Sequence, residues 1–166
     1  IGPLRNKESQ AAFDAESAEL NALPQLDYER VFALKDRYTH AIFAQKGTRT
    51  MGSRAYKAFL EANRDWLMPY AAFCVLRDRY ETADFSKWKR LKKYSAAGVA
   101  RLYGEAKAEM DYYIFVQYHL DRQLREAHAY ARSKGVALKG DIPIGITPHS
   151  VEAWAEPEYF NMGEQA

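Results

Sequence analysis

Between Ser95 and Gly135 the sequence keeps a single period. Met110, Tyr113, Ile114, Gln117, Leu120, Leu124 and His128 follow one 3.6-residue drift, the pattern of an α-helix face. Ser95 offers a side-chain oxygen to the first free amides, and Gly135 offers a cheap left-handed stop. The spacing predicts a helical stretch over 96–134, kinked at Gly104. So long a stripe cannot stay stable in water unless other elements cover it.

The upstream sequence supplies more helices. Residues 7–20 are rich in Ala and Glu and predict a helix that Leu23-Pro24-Gln25-Leu26 interrupts. Asp27 is placed to cap the next one, whose Val31, Leu34, Tyr38 and Ile42 share a face. Gly47-Thr48 is expected to close it. Ser53 caps a third helix carrying Tyr56, Phe59 and Leu60. Proline has no amide hydrogen and clashes with the preceding turn. Pro69 therefore predicts a break near Asn63–Asp65 and a fresh helix from Trp66 to about Tyr80. Asp84 caps a short helix containing Phe85 and Trp88.

After Gly135 the character changes. Val136-Ala137-Leu138-Lys139-Gly140 has the composition of a short strand, and Ile142-Pro143-Ile144-Gly145-Ile146 is too rich in Pro and Gly for a central strand. Ser150 caps a short helix through Trp154 that ends before Pro157. A single strand cannot satisfy its own backbone groups. Residues 136–166 are therefore expected to be loosely held, or paired with something outside this chain. The start at Ile1-Gly2-Pro3 without Met and the stop at Gln165-Ala166 fit an interior piece of a longer protein.

Composition narrows the function classes. The 24 basic and 22 acidic residues leave a net charge of +2, which gives no global drive toward nucleic acid or an anionic membrane. No apolar run approaches the roughly 18–20 residues needed to span a bilayer. The lone Cys74 lies in an apolar run, where a buried, inert thiol is expected, and nothing implies an oxidising compartment. The cytoplasm is the expected location. His40, His119, His128 and His149 lack metal-ligand spacing, and no phosphate loop or nucleophile elbow occurs; no cofactor or metal is expected. Tyr112, Tyr113, Phe115 and Tyr118 are expected to pack a core.

Two segments carry a functional reading. The run Lys87-Trp88-Lys89-Arg90-Leu91-Lys92-Lys93-Tyr94 interleaves five cations with two aromatics. It is expected to be a solvated helix face with Trp88 and Leu91 turned inward. The alternative makes it the binding face of a stand-alone helical interaction module. Asp141 closes the short apolar strand. Strand-end acids face the active-site mouth of α/β barrels, whereas a turn-capping Asp would face its own backbone; spacing alone leaves both open.

The tail resolves the choice by resemblance. Gly135-Val136-Ala137-Leu138-Lys139-Gly140-Asp141-Ile142-Pro143-Ile144 resembles the strand-and-loop signature of the 4-α-glucanotransferases (amylomaltases or disproportionating enzymes, glycoside hydrolase family seventy-seven). Ser150-Val151-Glu152-Ala153-Trp154-Ala155-Glu156-Pro157-Glu158-Tyr159-Phe160 resembles that family's continuation. Trp66-Leu67-Met68-Pro69-Tyr70-Ala71-Ala72-Phe73 and Phe115-Val116-Gln117-Tyr118 are similar to two of its helical segments. Leu23-Pro24-Gln25-Leu26-Asp27-Tyr28 resembles a stretch of its longer members. Gly145 departs from the pattern, standing where many members have an aromatic or branched residue.

The resemblance implies a mainly α chain. Residues 1–134 would be a helical insertion subdomain, and 135–166 an early strand, loop and short helix of a (β/α)8 barrel. It implies transfer of α-1,4-glucan segments between malto-oligosaccharides, starch or glycogen, with retention of configuration. The two carboxylates of that chemistry, roughly 5–5.5 Å apart, follow later barrel strands in the family, so this chain alone should lack nucleophile and acid/base. It implies substrate contacts at Asp141, and it carries Ser150 and Trp154 as further candidate substrate-binding positions. Trp154 has a second reading beside that one, as a lock holding its loop onto the barrel.

Overall fold

The computed structural model describes residues 2–141 and 145–161. The elements are α1 (Lys7–Asn21), α2 (Tyr28–Met51), α3 (Arg54–Arg79), a 3₁₀ turn at Phe85–Lys87, α4 (Ala96–Glu105), α5 (Lys107–Ser133), α6 (Val151–Ala155) and a 3₁₀ turn at Pro157–Tyr159. The chain is mainly helical, and no strand occurs among the described residues. Among the described residues no helix is long and apolar enough to cross a membrane. The chain divides into two compact units, Ile1–Ala58 and Phe59–Ala166.

The first unit is a helical hairpin. Asn6 caps α1 and Asp27 caps α2, each side-chain oxygen accepting from an amide three residues on, at 3.0 Å. Cross-helix contacts step backward along α1 as they step forward along α2. Glu19 meets Arg30 and Glu16 meets Arg37, each at 2.6 Å, and Phe13 stacks on Tyr38 with centroids 4.0 Å apart. The Arg5 amide then donates to Gln45 at 2.7 Å. That ordering makes the two helices antiparallel. The exposed ion pairs contribute little. Burial of Leu20, Leu34 and Ile42 supplies the hydrophobic stabilisation.

α2 does not close at Gly47-Thr48; it runs on to Met51, with Gly52 as its cap. Gly47 is an interior, buried residue whose missing side chain leaves room for the Phe43 ring, which a Cβ there would meet at 2.8 Å. The glycine serves packing rather than termination.

The second unit is built on α3 and α5. α3 crosses Pro69 without a break, against the expectation of two helices. Leu67 and Met68 before the proline, and Ala71 to Leu76 after it, are all buried. Continuous burial on both sides outweighs the single hydrogen bond that proline removes. Facing them, α5 buries Met110, Tyr112, Ile114, Phe115, Tyr118 and His119, so the expected aromatic core is present, with Tyr113 half-buried at its margin. Gln117 donates to the Tyr70 hydroxyl at 3.0 Å across the α3–α5 seam.

The long stretch from Ser95 is two helices, not one. It parts at Ala106 (φ −125°, ψ 35°), two residues beyond Gly104. Asp111 accounts for the position of the break. Its buried carboxylate accepts from the Tyr103 hydroxyl at 2.9 Å and pairs with Lys107, tying α4 to the first turn of α5. Beyond His119 the predicted stripe has no cover, and Leu120 and Leu124 are exposed. Gly135 ends α5 at φ +74°, with Val136 bonded to the Ala131 carbonyl and Gly135 to that of Arg132, a Schellman closure.

Val136–Gly140 is not a strand in this structure. Beyond the Val136 bond that closes α5, no described backbone group pairs its amides and carbonyls, and Val136 and Leu138 are half exposed. The irregular Ile142-Pro143-Ile144 stretch lies outside the described residues.

Candidate functional site

The segment from Gly145 to Phe160 is built around a tryptophan. Ser150 accepts from the Ala153 amide at 3.2 Å, and its own amide donates to the Thr147 carbonyl at 3.1 Å. These bonds start α6 where the cap was expected and set the direction of Trp154. That indole is only 2% exposed. It sits among Phe73, Trp88 and Tyr94, with centroids 5.9, 5.7 and 5.2 Å away, and its Nε1–H donates to the Leu91 carbonyl at 2.8 Å.

The receiving segment is held just as firmly. Trp88 is fully buried, and its Nε1–H donates to the Thr82 carbonyl at 2.8 Å. Leu91 takes φ +55°, which costs a non-glycine residue energy. A Cβ on Gly98 would lie 2.2 Å from the Leu91 side chain, so only glycine on α4 leaves space for it. Aromatic edge contacts and the Trp154 indole bond therefore lock residues 88–94 and α6 into one assembly, which the Trp88 indole bond ties to Thr82.

The basic run is therefore not a helix face. Only Phe85–Lys87 forms a 3₁₀ turn, and the backbone beyond it is irregular. Trp88 does turn inward, as expected, because its indole can be buried with its one donor satisfied. Two of the five cations are spoken for. Lys87 pairs with Asp84 at 3.0 Å, and Arg90 grips Glu105 with two bonds of 2.9 and 3.1 Å. Lys89, Lys92 and Lys93 are left exposed.

Asp84 organises the entrance to this assembly. Hydrogen bonds from Ser86 and Lys87 hold its carboxyl down at about 2. Partial burial opposes them. His149 approaches Asp84 at 3.8 Å and sets its ring edge on Phe85. A groove of about 530 Å³ opens nearby, lined by Phe85, Lys92, Lys93, Tyr94, Trp154 and Pro157.

The three sequence-derived candidates are thus placed differently. Ser150 is half-buried and spends its hydroxyl on capping, Trp154 is core, and Asp141 is exposed with no described hydrogen bond or ion pair. Ser150 and Trp154 stand together on α6, and no described contact joins Asp141 to them. Cys74 is buried, and burial pushes its thiol up, which leaves it protonated and inert. Burial, then the adjoining Cys74, raises Tyr70 to about 12. His119 is buried against the rings of Phe115 and Tyr118. No three of the described His, Cys, Asp and Glu residues gather around a possible metal position.

Sequence reading also missed a groove of about 240 Å³ between α3 and α6, lined by Trp66, Tyr70, Glu152 and Glu156 among others. Trp66 and Tyr70 stand four apart on a helix that was expected to begin there, so the i,i+4 aromatic pair was visible. Its partner element was not.

The chain belongs to the 4-alpha-glucanotransferase family, whose model matches residues 4–166. It is 39% identical over 164 residues to the 4-alpha-glucanotransferase DPE2 of Oryza sativa subsp. japonica, covering 97% of this chain and 17% of that protein. It is 30% identical to the 4-alpha-glucanotransferase of Synechocystis over 140 residues, or 82% of this chain and 28% of the relative. A Thermus thermophilus 4-alpha-glucanotransferase is 30% identical over 112 residues, 67% of this chain and 22% of its own length. The chain thus spans less than a third of each of these relatives. No solved structure matches it.

Proposed function

We propose that the full-length protein carrying this chain is a 4-α-glucanotransferase, which cleaves an α-1,4-glucan and passes the freed segment to the 4-hydroxyl of another. The observation that carries this reading is the family match over nearly the whole chain, joined by relatives that all bear that activity in their names. Malto-oligosaccharides, starch and glycogen are the proposed substrates.

On this reading residues 1–134 are a helical insertion and Val136–Asp141 an early strand of a (β/α)8 barrel. The strand's half-exposed Val136 and Leu138 would be covered, and its backbone paired, by strands contributed by the rest of the protein. Retention of configuration calls for a nucleophile and an acid/base carboxylate. Both are assigned to later strands, so this chain alone is inactive.

Within the chain, Asp141 is proposed as a substrate-side residue. A free carboxylate at a strand's end can accept two sugar hydroxyls through charge-assisted bonds. Ser150 acts through its cap, by fixing the start of α6 and the turn from Thr147. For Trp154, burial and the bond to Leu91 favour the locking role over a sugar contact. Asp141→Asn in the full-length protein should lower kcat/KM for maltotriose about tenfold or more, with the melting temperature unchanged. Unchanged kcat/KM would remove Asp141 from the site.

A further inference from the structure

Several acids of the second unit are engaged. Glu105 pairs with Arg90, Glu109 with Arg79, Asp111 with Lys107, and Asp121 with Arg125. Asp65, Glu152 and Glu156 are not among them. All three are exposed, none has a described ion pair or hydrogen bond to its side chain, and all three line the groove between α3 and α6.

The floor of that groove is aromatic. Trp66 is 48% exposed, and its Nε1–H is tied to Asn63 at 3.0 Å, which fixes the indole on the helix surface. Tyr70 lies against it, centroids 6.2 Å apart, with its hydroxyl anchored by Gln117. Asn63 is itself held by a 2.8 Å bond to the Phe59 carbonyl. The platform is therefore rigid before any ligand arrives, so binding need not spend energy ordering it.

Pro69 stands inside α3 and in the groove wall. The groove thus combines a fixed apolar face with three free carboxylates. This arrangement suits a pyranose ring, whose C–H face is apolar and whose rim is hydroxyl donors. We infer that the groove between α3 and α6 binds a glucosyl unit of an α-1,4-glucan, with the ring on Trp66 and Tyr70 and its hydroxyls donated to Asp65, Glu152 and Glu156. The choice of glucan over another polyol rests on the activity proposed above.

The test is made on the full-length protein labelled with 5-fluorotryptophan. The resonance absent from Trp66→Phe identifies Trp66, a half-exposed site where Phe is tolerated. Titration with maltoheptaose should shift that resonance saturably. Glu152→Gln and Glu156→Gln should each raise the half-saturating concentration about three- to tenfold, because the amide oxygen still accepts a hydroxyl and only the charge assistance is lost. No saturable shift overturns the proposal, and so does a shift that both Gln variants leave unchanged. A response to choline at lower concentration than to maltoheptaose also overturns it, since the groove would then be a cation site. Transfer on maltotriose is assayed with the same preparation. Transfer without a Trp66 response sinks the groove alone, and a Trp66 response without transfer sustains the groove while sinking the activity.

Discussion

At the scale of single residues, two backbone positions carry strain and one carboxylate carries pH dependence. Glu81 takes φ +53° just after α3, where Thr82 bonds back to the Arg77 carbonyl. The closure matches the one Gly135 makes after α5, but without a glycine. Glu81→Gly should stabilise the protein by roughly 0.5–1 kcal/mol in urea unfolding, since relief of the left-handed strain exceeds the entropy that glycine adds to the unfolded chain. Gly98→Ala should do the reverse. Its Cβ would displace the Leu91 side chain, and overpacking of that kind costs about 1–3 kcal/mol. Leu91 carries the carbonyl that holds Trp154, so the loss should also appear in near-ultraviolet circular dichroism.

Asp84 sets the acid limit of the same region. Its folded-state carboxyl lies near 2, below the ordinary 3.8. A depressed carboxylate stabilises the fold above the unfolded value and loses that contribution as pH falls through the folded one. The stability at stake is therefore complete above about pH 4 and fades toward pH 2. Asp84→Asn should lose stability at neutral pH and flatten the acid slope within that window, as read by urea midpoints from pH 5 to 2. An unchanged slope would mean that the Ser86 and Lys87 bonds do not hold the carboxylate in solution.

At the scale of elements, the caps were the most legible feature. Asp27, Ser53, Asp84, Ser95 and Ser150 each accept from an amide two or three residues on. A cap is local chemistry, and it can be read from adjacent residues. The glycine and proline signals failed where burial overrode them. Gly47 and Pro69 both lie inside helices because Phe43 in one case, and Leu67 to Leu76 in the other, pack better with the helix intact. The break at Ala106 was hidden for a similar reason. It depends on the buried Asp111, and no local rule marks that residue as buried. Trp154 illustrates both sides of the matter. Its motif position was visible, but the carbonyl it binds is on Leu91, sixty-three residues away. Trp154→Phe should cost about 2–4 kcal/mol, through the carbonyl left unpaired and the cavity where the larger ring stood. A variant as stable as the parent would show that the bond does not anchor the loop.

At the scale of the whole molecule, this chain has surfaces it cannot finish alone. α5 exposes Leu120, Leu124 and Tyr130, and residues 136–140 lie outside any sheet. In the isolated chain the amides of Val136 to Gly140 should exchange quickly, apart from the Val136 bond that closes α5. In the full-length protein, where a barrel is proposed to pair them, they should be protected by orders of magnitude. The sequence resemblance pointed to this division, because Gly135 to Asp141 carries the family's strand signature. A sheet whose other strands lay elsewhere, as proposed, would leave no mark on the geometry within this chain.

The most direct test of the proposed activity is incubation of the full-length protein with maltotriose, beside the 166-residue chain. Glucose and a ladder of longer malto-oligosaccharides from the full-length protein, with none from this chain, is the result expected. A folded full-length protein that moves no glucosyl units would contradict the proposed activity, and transfer by this chain alone would contradict the assignment of both catalytic carboxylates to the rest of the protein.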